Sequence, residues 1–414
     1  MEHSPPAGDP ITPEWCADGF DHFSPTLARE LHETMTYMRA NHPVARSEKY
    51  GGFWVISSYE DVLRVAQDWE SFSSEHGITV PSGPTSLPAI PEQIDPPLHR
   101  EYKRLINAYF TPAVVAQQED ETRALVSRLV DEFIESGETD LMATLARPLP
   151  GLVFFEQVLH APSEELEEIN RLSTLASNPT TPEAIEARKA MIMWISDFAD
   201  RRRSEPPLGD VVDAVLKAQI EGRDITQIEI IGILQLLLFG GLDTTSGALG
   251  QIVLRFCREP EIPKMLRAQP ELIPEAMEEL LRLECPFIFI ARTAMRDVEV
   301  GGRQIKQGDR VLLSWVSANR DENEFGTCPA DFDLERDANR HIAFGAGPHR
   351  CAGSHLAKMN LRVAIEEIVN RLDDLCLAVP EEMVGFHSAF SRSPESVPIR
   401  FTPGPRANVP APVG

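Results

Sequence analysis

The stretch FGAGPHRCAG, residues 344–353, sets one cysteine, Cys351, in a loop with Gly345, Gly347 and Gly353, just after His349 and Arg350. A deprotonated thiol facing an electropositive pocket rich in N–H donors is a strong metal ligand. Glycines let the backbone approach closely and adopt turn conformations barred to other residues, so amide N–H groups can point at the sulfur. The following segment, with Leu361, Ile365, Ile368 and Leu372 on one face, reads as an amphipathic helix whose N-terminal dipole also favours the thiolate. The competing reading is a buried, unreactive cysteine beside a glycine-rich turn.

Such a loop needs a scaffold, and helical periodicity supplies it. Apolar residues recur at three- and four-residue steps over 24–41, 112–136, 181–203, 226–258, 271–283 and 353–372. Strand signals are fewer and clustered. Residues 51–58, GGFWVISS, read as a strand running into a helix, with Ser58 and Asp61 spaced as a capping box. Residues 293–314 alternate apolar and polar side chains around Gly301-Gly302 and Gln307-Gly308, as a small antiparallel meander does. The expected fold class is mainly α with a small β region. No repeat or linker divides the 414 residues, so one large domain is expected over 1–414, with 1–50 a variable N-terminal segment and 403–414 a flexible tail.

Composition excludes several functions. With 39 basic and 64 acidic residues the net charge is −25, the wrong sign for a nucleic-acid binder. Six dispersed cysteines without a CxxC pair fit a reducing cytosol better than a disulfide framework or a zinc site. The N-terminus lacks the features of a signal peptide, and the longest apolar run, 230–242, is shorter than the ~20 residues a bilayer requires. A soluble, cytoplasmic protein without membrane attachment is the expectation.

Phe344, Gly347, His349, Cys351 and Gly353 spell FxxGxHxCxG, which resembles the haem-binding signature of the cytochrome P450 family. The resemblance implies haem b with Cys351 as axial iron ligand and Phe344, Gly345 and Gly353 around it; thiolate ligation pushes electron density that favours O–O cleavage, an effect for which this family is the standard example. Three remote features agree. FGGLDTTSG, residues 239–247, lies within the 226–258 helix, where glycine costs about 1 kcal/mol per residue. Gly240-Gly241 serve either close helix packing or a local opening of the helix that admits dioxygen, with Thr244 supplying a hydroxyl and Asp243 a proton relay. This matches the family's [AG]Gx[DE]TT oxygen-activation motif. Glu279 and Arg282 form an ExxR pair on one helical face, and Arg336 in FDLER resembles the third member of the family's buried network, read as scaffold. DPPLHREYKR, residues 95–104, resembles the helix that meets the haem propionates, through His99 and Lys103; Arg292 and His349 match the remaining propionate positions. Lysine stands where the family usually has arginine, a point charge in place of a bidentate fork. The resemblance spans 51–401 and implies the family's triangular helical fold, with haem between the glycine-containing helix and the cysteine loop.

The implied activity is a haem-thiolate monooxygenase. No GxGxxG follows a strand and no iron–sulfur cysteine cluster is present, so its electrons come from outside. Arg336, Arg340, Arg350, Lys358 and Arg362 face only Asp337 within 336–362, a local excess of cations that, with Arg100 and Arg104, suits an acidic ferredoxin served by its reductase. Unrelated surface cations are the alternative. Segments facing the distal pocket in relatives correspond to 70–90, 237–244, 286–291 and 387–391; Leu237, Gly240, Ile288, Ile290 and Phe390 mark a pocket for a neutral hydrophobic molecule, terpenoid or steroid-like. A fatty acid is the close alternative, although 70–93 contains no arginine to hold its carboxylate. A peroxide-driven peroxygenase is disfavoured by the Asp243–Thr244 pair, since peroxide already carries oxygen and protons. A haem sensor without turnover would need neither that pair nor an electron port.

Overall fold

Proline, glycine and side-chain oxygens set where the helices begin and end. Pro182 follows Thr181, whose side chain accepts from the Ala184 N–H, and starts the helix Pro182–Ser204. Thr226 and Glu229 form a reciprocal capping box at the head of the 32-residue helix Gln227–Arg258. The computed structural model describes residues 10–81, 87–176, 181–336, 339–388 and 390–407. Helix makes up about 54% of it. Residues 1–9, 82–86, 337, 389 and 408–414, which include parts of the expected N-terminal segment, distal segments and tail, lie outside the described residues.

Two expected helices are each divided. The run 24–41 is split into Pro25–Arg29 and Leu31–Asn41 by Glu30, whose φ of −103° leaves the helical region. The run 112–136 becomes Pro112–Ala116 and Glu119–Asp131, because the amides of Gln117 and Gln118 reach back only three residues, to Val114 and Val115.

The chain gathers into two compact units, each built from separate stretches of sequence. The first comprises Met1–His99, Glu278–Cys351 and Phe386–Arg392. Its centre is a five-stranded sheet in the order Val44–Ser47, Phe53–Ile56, Arg310–Ser314, Phe289–Ala294 and Phe72–Ser73. Phe53–Ile56 and Arg310–Ser314 run parallel, and the other pairings are antiparallel. The expected meander is therefore a nested arrangement: the hairpin of Val298–Val300 with Arg303–Ile305 sits inside the pair Phe289–Ala294 and Arg310–Ser314. Gly301 and Gly302, at φ +52° and +74°, make the hairpin turn. The anticipated capping box at Ser58 also takes another form. Ser58 Oγ donates to the Asp61 carboxylate at 2.9 Å, while Asp321 accepts the Tyr59 N–H at 2.7 Å.

The second unit comprises Arg100–Met277, Ala352–Gly385 and Ser393–Gly414. Here Gln227–Arg258 packs against Pro182–Ser204, Ser354–Arg371 and Pro148–Leu152. It is the one described helix with the length and apolar content of a membrane span, and its packing against three other helices accounts for that content. A three-stranded antiparallel sheet, Asp373–Leu377, Pro398–Thr402 and Glu138–Asp140, completes the unit.

Within the first unit His22 is fully buried, its ring centroid 4.2 Å from Phe23 and 5.6–6.2 Å from Tyr50, Phe53, Phe289 and Phe390. Burial pushes its pKa from 6.5 down to about 4. Between those values the unfolded chain binds a proton that the folded chain refuses, so stability is full above pH 6.5 and falls as the pH drops towards 4. The loss amounts to about 3 kcal/mol. Urea midpoints measured from pH 7 to pH 4.5 will fall less steeply in His22→Gln than in the parent protein.

Candidate functional site

The cysteine loop is shaped by two glycines. Gly345 and Gly347 have φ of +72° and +69°, in the left-handed region that other residues enter only with strain. A Cβ on Gly347 would stand 2.4 Å from the Ala66 carbonyl oxygen and 3.0 Å from Gln67 Cα, so the loop can lie against the helix Tyr59–Gln67 only with glycine there. Gly353 differs from expectation: its φ is −84°, open to any residue, and a Cβ there would meet nothing within 4 Å. The Cys351 N–H donates to the Phe344 carbonyl at 2.8 Å, closing the loop, and the helix Ser354–Arg371 begins three residues later. Cys351 is exposed. By contrast, burial pushes the Cys16 thiol up to about 11 and those of Cys257 and Cys285 up to about 12, which holds all three as neutral thiols.

Beside this loop, in the same unit, three of the four residues assigned to carboxylate binding come together. His99, Arg292 and His349 are each at least nine-tenths buried. Arg292 Nη2 lies 3.1 Å from Glu92 Oε1, and His349 Nδ1 lies 3.5 Å from Glu92 Oε2. The His99 ring stands edge-on to that of His349, centroids 4.5 Å apart. Ser74 Oγ, itself bonded to Asp95 at 3.0 Å, is 3.3 Å from His349 Nε2. Glu92 and Ser74 carry no motif signal and sequence reading missed them, while Asp95, the first residue of DPPLHREYKR, was given no role. Lys103, four residues after His99 in the helix His99–Asn107, is half-buried and belongs to the second unit.

This arrangement fits haem. A cluster that already holds one carboxylate through an arginine and a histidine has the donors that propionates require. Among the described residues no group of three His, Cys, Asp or Glu side chains could hold a bare metal ion. A lone exposed thiolate suits iron whose remaining positions are filled by a porphyrin.

In the second unit, Gln227–Arg258 passes through Gly240-Gly241 as continuous helix, without the break that the glycines suggested. The two glycines have separate roles. A Cβ on Gly241 would come within 2.7 Å of the Phe154 ring, so Gly241 permits close packing. A Cβ on Gly240 would meet nothing, and Gly240 and Asp243 are exposed in a helix buried on either side of them. Thr244 Oγ1 donates to the Gly240 carbonyl at 3.0 Å, which gives that oxygen an additional donor without opening the ladder.

Glu279 and Arg282 lie in the helix Ile273–Leu283 and form a fully buried bidentate pair, 2.7 Å at both contacts. Arg336 Nε adds a contact to the same carboxylate at 3.3 Å, and Asn339, unanticipated from sequence, donates at 3.1 Å. Arg336 is thus internal, and Arg362 is ion-paired with Glu119 and Glu366. Arg340 is exposed and pairs with Glu324, while Arg350, Arg100 and Arg104 are exposed and Lys358 is half-buried. Of the residues assigned to a substrate pocket, Ile288 is packed on all sides in the core of the first unit. Ile290 and Leu237 are buried at 5% and 9% exposure, and Gly240 and Phe390 expose more. The Phe390 carbonyl accepts the Ile288 N–H at 2.7 Å.

Comparison with known proteins identifies the family. Residues 154–383 match the family model described as Cytochrome P450. Nocardicin C N-oxygenase of Nocardia uniformis subsp. tsuyamanensis is 35% identical over 401 residues, covering 92% of this chain and 98% of that protein. Steroid C26-monooxygenase of Mycolicibacterium smegmatis is 32% identical over 380 residues, covering 90% and 92%. The structure of a mutant of P450 EryK with erythromycin B superposes with a TM-score of 0.83 at 26% identity, covering 92% of this chain and 98% of that one. With identity above 30% along nine-tenths of its length, the chain belongs to the cytochrome P450 family: it has that family's mainly helical fold, binds haem b and is a monooxygenase.

Proposed function

We propose that this cytochrome P450 hydroxylates a neutral hydrophobic small molecule, terpenoid or steroid-like, with dioxygen and two electrons delivered one at a time by an external ferredoxin and its reductase. The observation that carries the site assignment is the convergence of Arg292 and His349 on one carboxylate beside His99, in the unit that also holds the exposed Cys351. Cys351 would hold the haem iron through its sulfur; His99, Lys103, Arg292 and His349 would receive the propionates; Phe344, Gly345 and Gly353 would shape the loop. When bound, the haem supplies reductive dioxygen activation, one oxygen atom entering a substrate C–H bond and the other leaving as water with two protons and two electrons. The chain's own part is to deliver those protons. Asp243 is exposed at the surface of its helix, and Thr244 carries a hydroxyl one residue away whose hydrogen rests on the Gly240 carbonyl. The carboxyl takes a proton from water and the hydroxyl passes one on.

Leu237, Gly240, Ile290 and Phe390 are assigned to substrate contact, and Ile288, packed on all sides in the core of the first unit, is not. The apolar character of these residues and the resemblance to a steroid C26-monooxygenase support the substrate class. Arg350, Lys358, Arg100 and Arg104 are assigned to an acidic redox partner by the local excess of cations in their segments of sequence, whereas Arg336 and Arg362 belong to internal ion pairs. No disulfide joins the six cysteines, in keeping with a reducing cytoplasm.

Reduced protein under carbon monoxide will show the Soret position of thiolate ligation, and Cys351→Ser will lose it; an unchanged spectrum removes the whole assignment. Thr244→Ala will consume reductant at a comparable rate while product per electron pair drops by about tenfold. Equal coupling in the two proteins would reject the proton-delivery role. With a surrogate ferredoxin, Arg350→Glu and Lys358→Glu will slow electron transfer at low salt, and the difference from wild type will shrink as salt rises.

A further inference from the structure

Arg310 opens the strand Arg310–Ser314 and stands opposite Thr293. Its guanidinium is directed at segment 74–81 of the same unit. Nη1 donates to the His76 carbonyl at 3.0 Å and to Thr293 Oγ1 at 2.5 Å; Nη2 donates to the carbonyls of Gly77 at 2.7 Å and Thr79 at 2.8 Å. Those four bonds use every N–H on the two terminal nitrogens. None of the partners is a carboxylate. Burial, reinforced by the neighbouring Arg292 charge, pushes the Arg310 pKa down to about 10, so the group is still a cation at neutral pH. A largely buried cation without a counter-ion is costly, and here carbonyl dipoles from one short segment offset that cost.

The segment it holds is anchored at both ends. Ser74 bonds Asp95 and lies 3.3 Å from His349 Nε2, in the carboxylate-binding cluster. Four residues on, the Ile78 carbonyl accepts the Ala291 N–H at 2.8 Å, next to Arg292 and within the proposed substrate-facing stretch 286–291. Gly77, at φ +100°, makes the bend between those anchors, with its N–H on the Ser74 carbonyl. One strap therefore joins the propionate cluster to the substrate wall, and Arg310 grips its middle. Because the fork is saturated, Arg310 is not an anchor for a substrate carboxylate.

We propose that Arg310 is a positioning residue for substrate selection: its guanidinium holds segment 74–81 as a preformed wall of the substrate site, against which a bulky ligand packs next to the haem and a small one does not. This rests on the functional reading above. The test uses holoenzyme of the wild type, Arg310→Gln and Arg310→Lys, with imidazole and 4-phenylimidazole as small and bulky haem ligands followed by their Soret shifts, and amide hydrogen exchange of residues 74–81. Lysine keeps the charge but cannot direct four bonds in one plane. Both variants are expected to retain the thiolate signature under carbon monoxide and to bind imidazole within about twofold of wild type. Both are expected to bind 4-phenylimidazole about tenfold more weakly, and to exchange the 74–81 amides about tenfold faster. Equal changes for the two azoles, wild-type selectivity in Arg310→Lys, or unaltered exchange would each overturn the proposal. Absence of the thiolate signature from wild type would instead overturn the preceding functional reading, and the exchange measurement would still decide whether Arg310 holds the strap.

Discussion

Glu279 carries a negative charge where water does not reach, and much of the first unit is arranged to satisfy it. An ionised carboxylate only accepts, and this one receives Arg282 Nε and Nη2, Arg336 Nε, Asn339 Nδ2 and the Asp333 N–H. Its two arginines reach outward in turn. Arg282 donates to the carbonyls of Asn319 and Pro329, and Arg336 to that of Phe325. Asn319 then accepts the Ile342 N–H at 2.7 Å, two residues before Phe344. The course of the chain into the cysteine loop is thus dictated by charge compensation. Losing Arg282 would leave the carboxylate without its bidentate cation in a low-dielectric interior, which is far costlier than the net value of the intact pair.

Around that scaffold the chain separates two kinds of electrostatic work. One arginine and one histidine, Arg292 and His349, meet on Glu92, and Ser74, bonded to Asp95, stands on the other side of the His349 ring. The helix Gln227–Arg258 supplies acid and hydroxyl groups on a backbone that stays regular. Its glycines do not act alike: Gly241 brings Phe154 close, and Gly240 keeps a side of the helix clear.

The groups whose chemistry fixes both residue type and spacing were legible in the sequence. Cys351 with its loop, Asp243–Thr244 and the Glu279–Arg282 pair belong to short local patterns, and helix existence followed from apolar periodicity. What sequence reading missed depends on contacts far apart in the chain. Glu92 and Asn339 have no local signature, and the parallel pairing of Phe53–Ile56 with Arg310–Ser314 joins strands over 250 residues apart. Local spacing also misled at Ser58, whose hydroxyl donates to Asp61 instead of accepting from the helix while Asp321 takes the Tyr59 N–H, and at Gly353, whose backbone needs no glycine. Counting cations along 336–362 overstated the free positive charge, since a linear tally does not register that Glu279 and Glu119 meet Arg336 and Arg362 in space.

The contact between Thr244 and Gly240 has a mechanical corollary. A hydroxyl owns a single hydrogen, and while that hydrogen rests on its own helix, only lone pairs face outward. Thr244 in this pose offers an approaching molecule an acceptor; to donate outward it must release the Gly240 carbonyl and turn its hydrogen about the Cβ–Oγ bond. The residue is therefore an acceptor in one hydroxyl setting and a donor in another, with no movement required of the helix that carries it.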